Sequence, residues 1–271
     1  MKKLFKIVEN FGSKTFSDNT KKLLLNAVAL FLVVNFTFYV ESVGDDYENR
    51  QKYLEISKSI LSELYLITDY TDEYIAQTGN VLPMYEKQYD RWDIDNDSIF
   101  IDFFKNEEAP DGKFYYAPLG MFKYTKPYEP PRNEFRTFSK GTQEFFLINL
   151  EISNRIFDLY EGSDIKYLFE DTGKNEEKYI NQFINRIENK WVEDLSFVDI
   201  DSKEFWIENR KYIQSDKFLK YLIKKRVDLW KFSVKDQLSY QNDLIKKDIK
   251  SLDSVIKQMD NEKYFFYWKI D

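Results

Sequence analysis

The chain has 271 residues and a net charge of −7, from 47 acidic against 40 basic side chains. Cysteine and histidine are both absent, which excludes disulfides, cysteine lipidation, thiol nucleophiles, most zinc sites and any catalytic machinery built on imidazole, leaving carboxylates, lysine and tyrosine as acid–base groups. The acidic balance also argues against a nucleic-acid partner, whose phosphates attract basic surfaces.

Residues 1–22 hold six lysines (Lys2, Lys3, Lys6, Lys14, Lys21 and Lys22) against Glu9 and Asp18, so this stretch stands at +4 and the rest of the chain at −11. Leu4, Ile7, Val8 and Phe11 share one helical face there, the pattern of an amphipathic helix lying in the headgroup layer. Leu23 to Val40 follows without a charge. At ~1.5 Å per residue it covers roughly 27 Å, close to the thickness of a hydrocarbon core, and it is expected to be a transmembrane helix. Lysines stay on the cytoplasmic side, which predicts a single-pass protein with residues 1–22 in the cytoplasm and 41–271 as an extracytoplasmic domain. The rival reading is a cleavable signal peptide ending near Ser42-Val43-Gly44; the long lead-in and an apolar run beyond the usual roughly 7–15 residues count against it. Within the span, Asn26 and Asn35 are the candidate helix-contact residues, since either amide can hydrogen-bond across a helix pair. Nine residues apart, they point about 180° from one another.

From Tyr47 to Gln77 a long helix is expected: Tyr53, Ile60, Ile67 and Tyr74 recur every seventh residue beside Leu54, Leu61, Leu64 and Ile75, with Glu55, Lys58, Glu63 and Asp69 on the polar side. It suits a bundle better than a coiled-coil stalk, because its seam is wide and rich in tyrosine. Gly79 and Pro83 are read as ending it. The stretch of about residues 80–140 gathers Pro110, Pro118, Pro127, Pro130, Pro131, Gly112 and Gly120 among Phe114, Tyr115, Tyr116, Phe122, Tyr124 and Tyr128. That composition predicts an irregular insertion open to a β-hairpin.

Helical spacing returns at Glu144–Tyr160, through Phe145, Ile148, Ile152, Ile156 and Leu159, and at Asn175–Trp191, where Tyr179, Phe183, Ile187 and Trp191 step by four beside Ile180 and Ile184. Asp201 and Glu204 are spaced as an N-cap and its reciprocal partner, opening a helix near Lys203. The last helix, from about Ser215 to Asp260, carries Leu238, Ile245, Leu252 and Met259 on a heptad column with Ile249, Val255 and Ile256 alongside, and a break or kink inside it is expected. Tyr264 to Trp268 is five aromatics in a row, read either as a short strand or plug that closes the core or as an exposed interface. The fold class is therefore mainly α: a transmembrane helix and an extracytoplasmic helical bundle.

The string Phe135 to Glu161 resembles the middle block of a domain-of-unknown-function family of bacterial single-span membrane proteins with a helical extracytoplasmic domain. The matching positions are Ser139, Gly141, Leu147, Ile148, Asn149, Glu151, Ile152, Ile156, Leu159 and Tyr160. The lysine-rich lead-in and span, Glu48 to Glu55, and Ser202 to Ile213 follow the same order. Asn26 and Asn35 interrupt a run that is smoother in that family, and the section from Pro110 to Pro131 is peculiar to this chain. The resemblance implies a bacterial inner membrane and a periplasmic domain, and it brings no active site.

Two constellations bear on chemistry. Asp93, Asp95 and Asp97 alternate as in a calcium loop, but Ser98 stands where the turn wants glycine and Phe104 where a bidentate glutamate should close the site. Trp92, Trp191, Trp206 and Trp230 suggest sugar stacking beside a carboxylate pair, although spacing alone identifies no such pair. No catalytic residue and no cofactor is expected. The reading that results is a non-enzymatic envelope protein, an accessory or scaffold subunit that touches membrane lipid and binds another membrane or envelope protein or its own copy. The alternative is an extracytoplasmic ligand sensor, which needs a separate cytoplasmic partner because about 20 residues lie inside.

Overall fold

A computed structural model describes residues 18–101, 118–131, 154, 163–265 and 268–270, and these are mainly helical. Helix α1 runs Asp18–Asp90 and α2 Ser98–Ile101, followed by a 3-10 turn at Pro118–Tyr124. Helix α3, Ser163–Arg186, continues through a π turn at Ile187–Trp191 into α4, Val192–Asp194. Then come α5 (Lys203–Glu208), α6 (Arg210–Ser215), α7 (Lys217–Asp228), a π stretch at Leu229–Leu238, and α8 (Ser239–Asp260). Strands β1 (Lys263–Phe265) and β2 (Trp268–Ile270) pair antiparallel, with Tyr264 opposite Lys269. The chain divides into two units, residues 1–56 with 256–271 and residues 57–255.

In the first unit, α1 carries the charge-free run. Among the described residues α1 is the one helix long and apolar enough to cross a membrane, and every residue from Asn26 to Tyr39 is exposed. Two polar side chains in the run are satisfied by their own helix: Asn35 Nδ2 donates to the Phe31 carbonyl at 2.7 Å and Thr37 Oγ1 to that of Val33 at 2.9 Å. The aromatic run expected as a short strand falls across the two strands of the C-terminal hairpin.

In the second unit, the buried seam of α1 is more regular than the apolar residues alone announce. Ser57, Leu64, Thr71, Thr78 and Tyr85 form one seven-residue column, and Ile60, Ile67, Tyr74 and Gln88 lie on the other. The threonines fit because their hydroxyls donate backwards, Thr71 to Ile67 at 2.7 Å and Thr78 to Tyr74 at 2.8 Å. Glu63, expected on the polar side, is buried. Gly79 and Pro83 do not end the helix, contrary to expectation. A proline inside a helix removes one hydrogen bond and crowds the carbonyl four residues back, here that of Gly79, at a cost of ~3 kcal/mol. Leu82, Tyr85 and Gln88 keep the seam buried beyond it, and this packing outweighs the local penalty.

The expected irregular insertion therefore starts later than residue 80. Residues 102–117 and 132–140 lie outside the described residues, as do the expected helix at Glu144–Tyr160, Asn154 apart, and the family-like block. Among the described residues no strand falls between 80 and 140; the hairpin is C-terminal. Helix α3 begins at Ser163, twelve residues ahead of the expected Asn175, because its buried face extends upstream through Phe169, Thr172 and Glu176 to meet Ile180, Phe183 and Trp191. Helix α5 opens at Lys203 as expected, but its cap is Ser202, whose Oγ accepts from the Phe205 amide at 3.4 Å. Asp201 instead accepts from the Tyr124 hydroxyl. In the last helical run the expected break takes the form of the π stretch. Its wider turn holds Trp230, Val234 and Leu238, four residues apart, on one buried face.

The core is organised by aromatic contacts. Trp92, Phe100, Trp206, Trp191, Phe183, Phe122, Tyr85 and Trp230 touch in that order, with centroids 5.1 to 6.0 Å apart. Each such pair adds about 0.5–1.5 kcal/mol beyond its area. The chain of rings crosses α1, α2, the 3-10 turn, α3, α5 and the π stretch.

Candidate functional site

The second unit encloses a buried charge pair at one end of this aromatic chain. Glu176 lies on α3 and Arg226 on α7, with side-chain exposures of 0% and 1%. Tyr74 of α1 and the backbone amide of Tyr128 both donate to Oε2 of Glu176, the latter at 3.1 Å. Trp230 donates its indole N–H to Oε1 at 2.6 Å. Arg226 Nη2 stands 3.7 Å from the same oxygen, while Nη1 donates to the Tyr85 hydroxyl at 3.3 Å. The guanidinium lies 4.2 Å from the Phe122 ring centroid and 4.5 Å from that of Trp230. Among the described residues its Nε and Nη2 make no hydrogen bond, so ring faces take the place of oxygen acceptors around the cation.

The environment sets the titration of the tyrosines. Burial, then the charge and hydrogen bond of Glu176, raise the Tyr74 hydroxyl far above its ordinary value. Burial pushes Tyr85 up to about 12, against the opposing charge of Arg226. Both stay protonated over the physiological range, Tyr74 donating to Glu176 and Tyr85 accepting from Arg226. The constellation joins α1, α3, α7 and the Tyr128 segment through one carboxylate.

Against this cluster lies a pocket of ≈ 490 Å³, lined by Tyr70, Tyr74, Gln77, Val81, Met121 and Trp230 among others. Two of these, Tyr74 and Trp230, are the side chains that hold Glu176. An occupant of the pocket would therefore touch rings whose polar ends are fixed by the buried carboxylate.

The residues singled out from the sequence lie elsewhere. Asp93 pairs with Lys220, and Arg210 pairs with both Asp95 and Asp97, the latter at 2.8 Å from Nε. The three carboxylates thus face cations of α6 and α7. Among the described residues no group of three acidic, histidine or cysteine side chains is arranged to hold a metal. Trp92, Trp191, Trp206 and Trp230 are at most 3% exposed, so these rings are core; of the four, Trp230 also lines the pocket. Asn26 and Asn35 are both exposed on α1, with the Asn35 amide engaged within its own helix.

Glu176 and Arg226 were not singled out from the sequence, yet a signal exists. Glu176 sits four residues before Ile180 and seven before Phe183, and Arg226 four after Leu222 and four before Trp230. A charge on the apolar face of each of two helices marks a buried pair. No family model matches the chain, and no curated protein and no solved structure matches it either.

Proposed function

We propose that this protein is a non-enzymatic, single-pass protein of the bacterial inner membrane, with its N-terminus cytoplasmic and its acidic helical part periplasmic. In this reading it is an accessory or scaffold subunit that holds a helical unit beside the bilayer to bind another membrane or envelope protein, or a second copy of itself. The observation that carries the reading is α1, a single helix of 73 residues with an exposed apolar run near its start and a core-forming seam in its second half. The +4 charge of residues 1–22 supports the orientation. The absence of histidine and cysteine and the engagement of Glu176 by three donors favour a structural over a catalytic use of its acidic groups. Asn26 and Asn35 are the positions through which the span would meet a neighbouring helix.

The test is purification of the tagged protein from native membranes in mild detergent, beside a form lacking residues 1–45. A stoichiometric partner that is lost with the anchor supports the reading. Recovery of the protein alone in both forms overturns it.

The pocket at Tyr70, Tyr74 and Trp230 favours one second reading, an extracytoplasmic ligand sensor acting through a separate cytoplasmic partner. A solute that raises the unfolding temperature of the native protein, and loses that effect when Val81→Trp fills the pocket, would support it.

A further inference from the structure

The pocket of the second unit combines aromatic rings with two charges of opposite sign. Helix α1 supplies Tyr70, Glu73 and Tyr74, steps of three and four that fall on one helical face. The 3-10 turn supplies Tyr124, the segment after it Lys126, and the π stretch Trp230. Glu73 and Lys126 are exposed, Tyr70 is half-buried, and Tyr74 and Trp230 are buried. The charges therefore stand at the mouth, and the rings lead inward from them.

The rings are prepared to meet a positive charge. Trp230 donates to Oε1 of Glu176 at 2.6 Å, Tyr74 donates to Oε2 of the same carboxylate, and Tyr124 donates to Asp201 at 2.7 Å. A proton shared with a carboxylate leaves electron density on the ring that gives it, which deepens the negative potential over the ring face. Two of these rings already draw a cation: the Arg226 guanidinium lies 4.5 Å from the centroid of Trp230, and Lys123 Nζ 5.6 Å from that of Tyr124. Tyr70 and Tyr74, nearly parallel at 14°, hold none among the described residues.

The two charges at the mouth add a second requirement. Gln77 donates to Glu73 at 2.9 Å, but among the described residues neither Glu73 nor Lys126 makes an ion pair. A simple cation would be opposed by Lys126 and a simple anion by Glu73, whereas a molecule carrying both charges satisfies both side chains. A primary ammonium brings three N–H donors that need oxygen acceptors, and Glu73 is the one carboxylate among the described lining residues. A methylated ammonium makes no such demand and is the cation that aromatic faces recognise best. At the other end, one lysine matches the single charge of a carboxylate; phosphate is more often held by arginine or by several backbone amides. The −11 charge of the chain beyond residue 22 favours approach of the positive end.

We propose that this pocket binds a small betaine, a zwitterion with a methylated ammonium head and a carboxylate, the head lying against Tyr70, Tyr74 and Glu73 and the carboxylate toward Lys126. This names the ligand class of the sensor reading and rests on that reading for its use in the cell.

Four isosteric probes test it. Glycine betaine carries both charges, choline the positive one, 3,3-dimethylbutyrate the negative one and 3,3-dimethylbutan-1-ol neither. Each is titrated calorimetrically, at millimolar concentration, into the full-length protein in detergent and into its Val81→Trp variant, whose new ring fills the pocket. Glycine betaine should bind at least about ten-fold more tightly than 3,3-dimethylbutyrate, and Val81→Trp should abolish its binding. Lys126→Gln should bring glycine betaine down to the level of choline, and Glu73→Gln should narrow its advantage over 3,3-dimethylbutyrate; both side chains are exposed, so neither change disturbs the core. Equal or tighter binding of any of the other three, lost in Val81→Trp, overturns the betaine assignment and leaves a ligand pocket for the sensor reading. No binding of any of the four also overturns the proposal, while the sensor reading falls only if its own test, with solutes of every charge, fails as well.

Discussion

Trp230 donates its indole N–H to Glu176 at 2.6 Å, tying the start of the π stretch to the middle of α3. The same carboxylate takes the Tyr74 hydroxyl and the Tyr128 amide and balances Arg226. Glu176→Gln presents an NH2 group either to Trp230 or to Tyr74 and the Tyr128 amide, a clash of donors in each orientation, and leaves Arg226 without a counter-charge. Breaking a buried pair from one side costs about 3–5 kcal/mol. Trp230→Phe, which removes one hydrogen bond to a charged group, should cost about 1.5–3 kcal/mol. The double variant Glu176→Leu with Arg226→Met should recover most of the loss, since apolar replacements of both partners are often neutral or better. Denaturant unfolding of the detergent-solubilised protein, followed by circular dichroism, checks all three.

Alkaline pH should attack the same cluster. Burial and Glu176 raise the Tyr74 hydroxyl, and burial pushes Tyr85 up to about 12, both above the ordinary tyrosine value of about 10. The folded state therefore keeps protons that the unfolded state gives up. Stability from these groups is complete below about pH 10 and declines as the pH rises beyond it. Unfolding midpoints measured between neutral pH and about pH 11 should fall, with a shallower slope in Tyr85→Phe.

Acid should act on another element. Asp216 caps α7, accepting from the Phe218 amide at 3.1 Å, and it pairs with Arg186 at 2.7 Å and Lys190 at 3.5 Å with 4% of its side chain exposed. Burial pushes its carboxyl up, but the hydrogen bond and charge of Arg186, the Phe218 amide and Lys190 outweigh it, and the group titrates below its ordinary value. Its stabilising effect is full above about pH 4, the unfolded value, and is lost as the pH falls through the folded one. Asp216→Asn keeps a capping oxygen and removes the charge. It should cost about 1–3 kcal/mol at neutral pH and flatten the loss of stability below about pH 4, read from unfolding midpoints across that range.

The apolar periodicity of the long helices was legible in the sequence because leucine and isoleucine columns report a buried face directly. Thr71 and Thr78 were not, since a hydroxyl reads as polar until its bond to its own helix is seen. Helix ends were read from local signals, and these failed where packing opposed them: Pro83 is a strong breaker, but Tyr85 and Gln88 beyond it are fully buried. Ser202 displaced Asp201 as the α5 cap because Asp201 is engaged by Tyr124, a partner 77 residues away. The Glu176 site draws on α1, α3, α7 and residue 128, and no local pattern contains it. The acidic triplet stood out by spacing alone, and its partners Arg210 and Lys220 are more than a hundred positions away.

Two glycines inside helices should answer the same substitution with opposite signs. Alanine is normally better than glycine in a helix interior by about 1 kcal/mol. At Gly79 of α1, a Cβ would meet nothing within 4 Å, so Gly79→Ala should stabilise by up to ~1 kcal/mol. At Gly173 of α3, the Cβ would lie well inside van der Waals contact distance of the Tyr128 carbonyl oxygen. That obstacle is backbone and is held in place, because the amide of the same residue donates to Glu176 at 3.1 Å and its hydroxyl is 2.8 Å from Thr71. Gly173→Ala should therefore destabilise by about 1–3 kcal/mol, the range for overpacking, despite the gain in helix propensity. Thermal unfolding of the two variants beside the parent checks the pair. Stabilisation by Gly173→Ala would mean that Tyr128 does not pack against α3 as described.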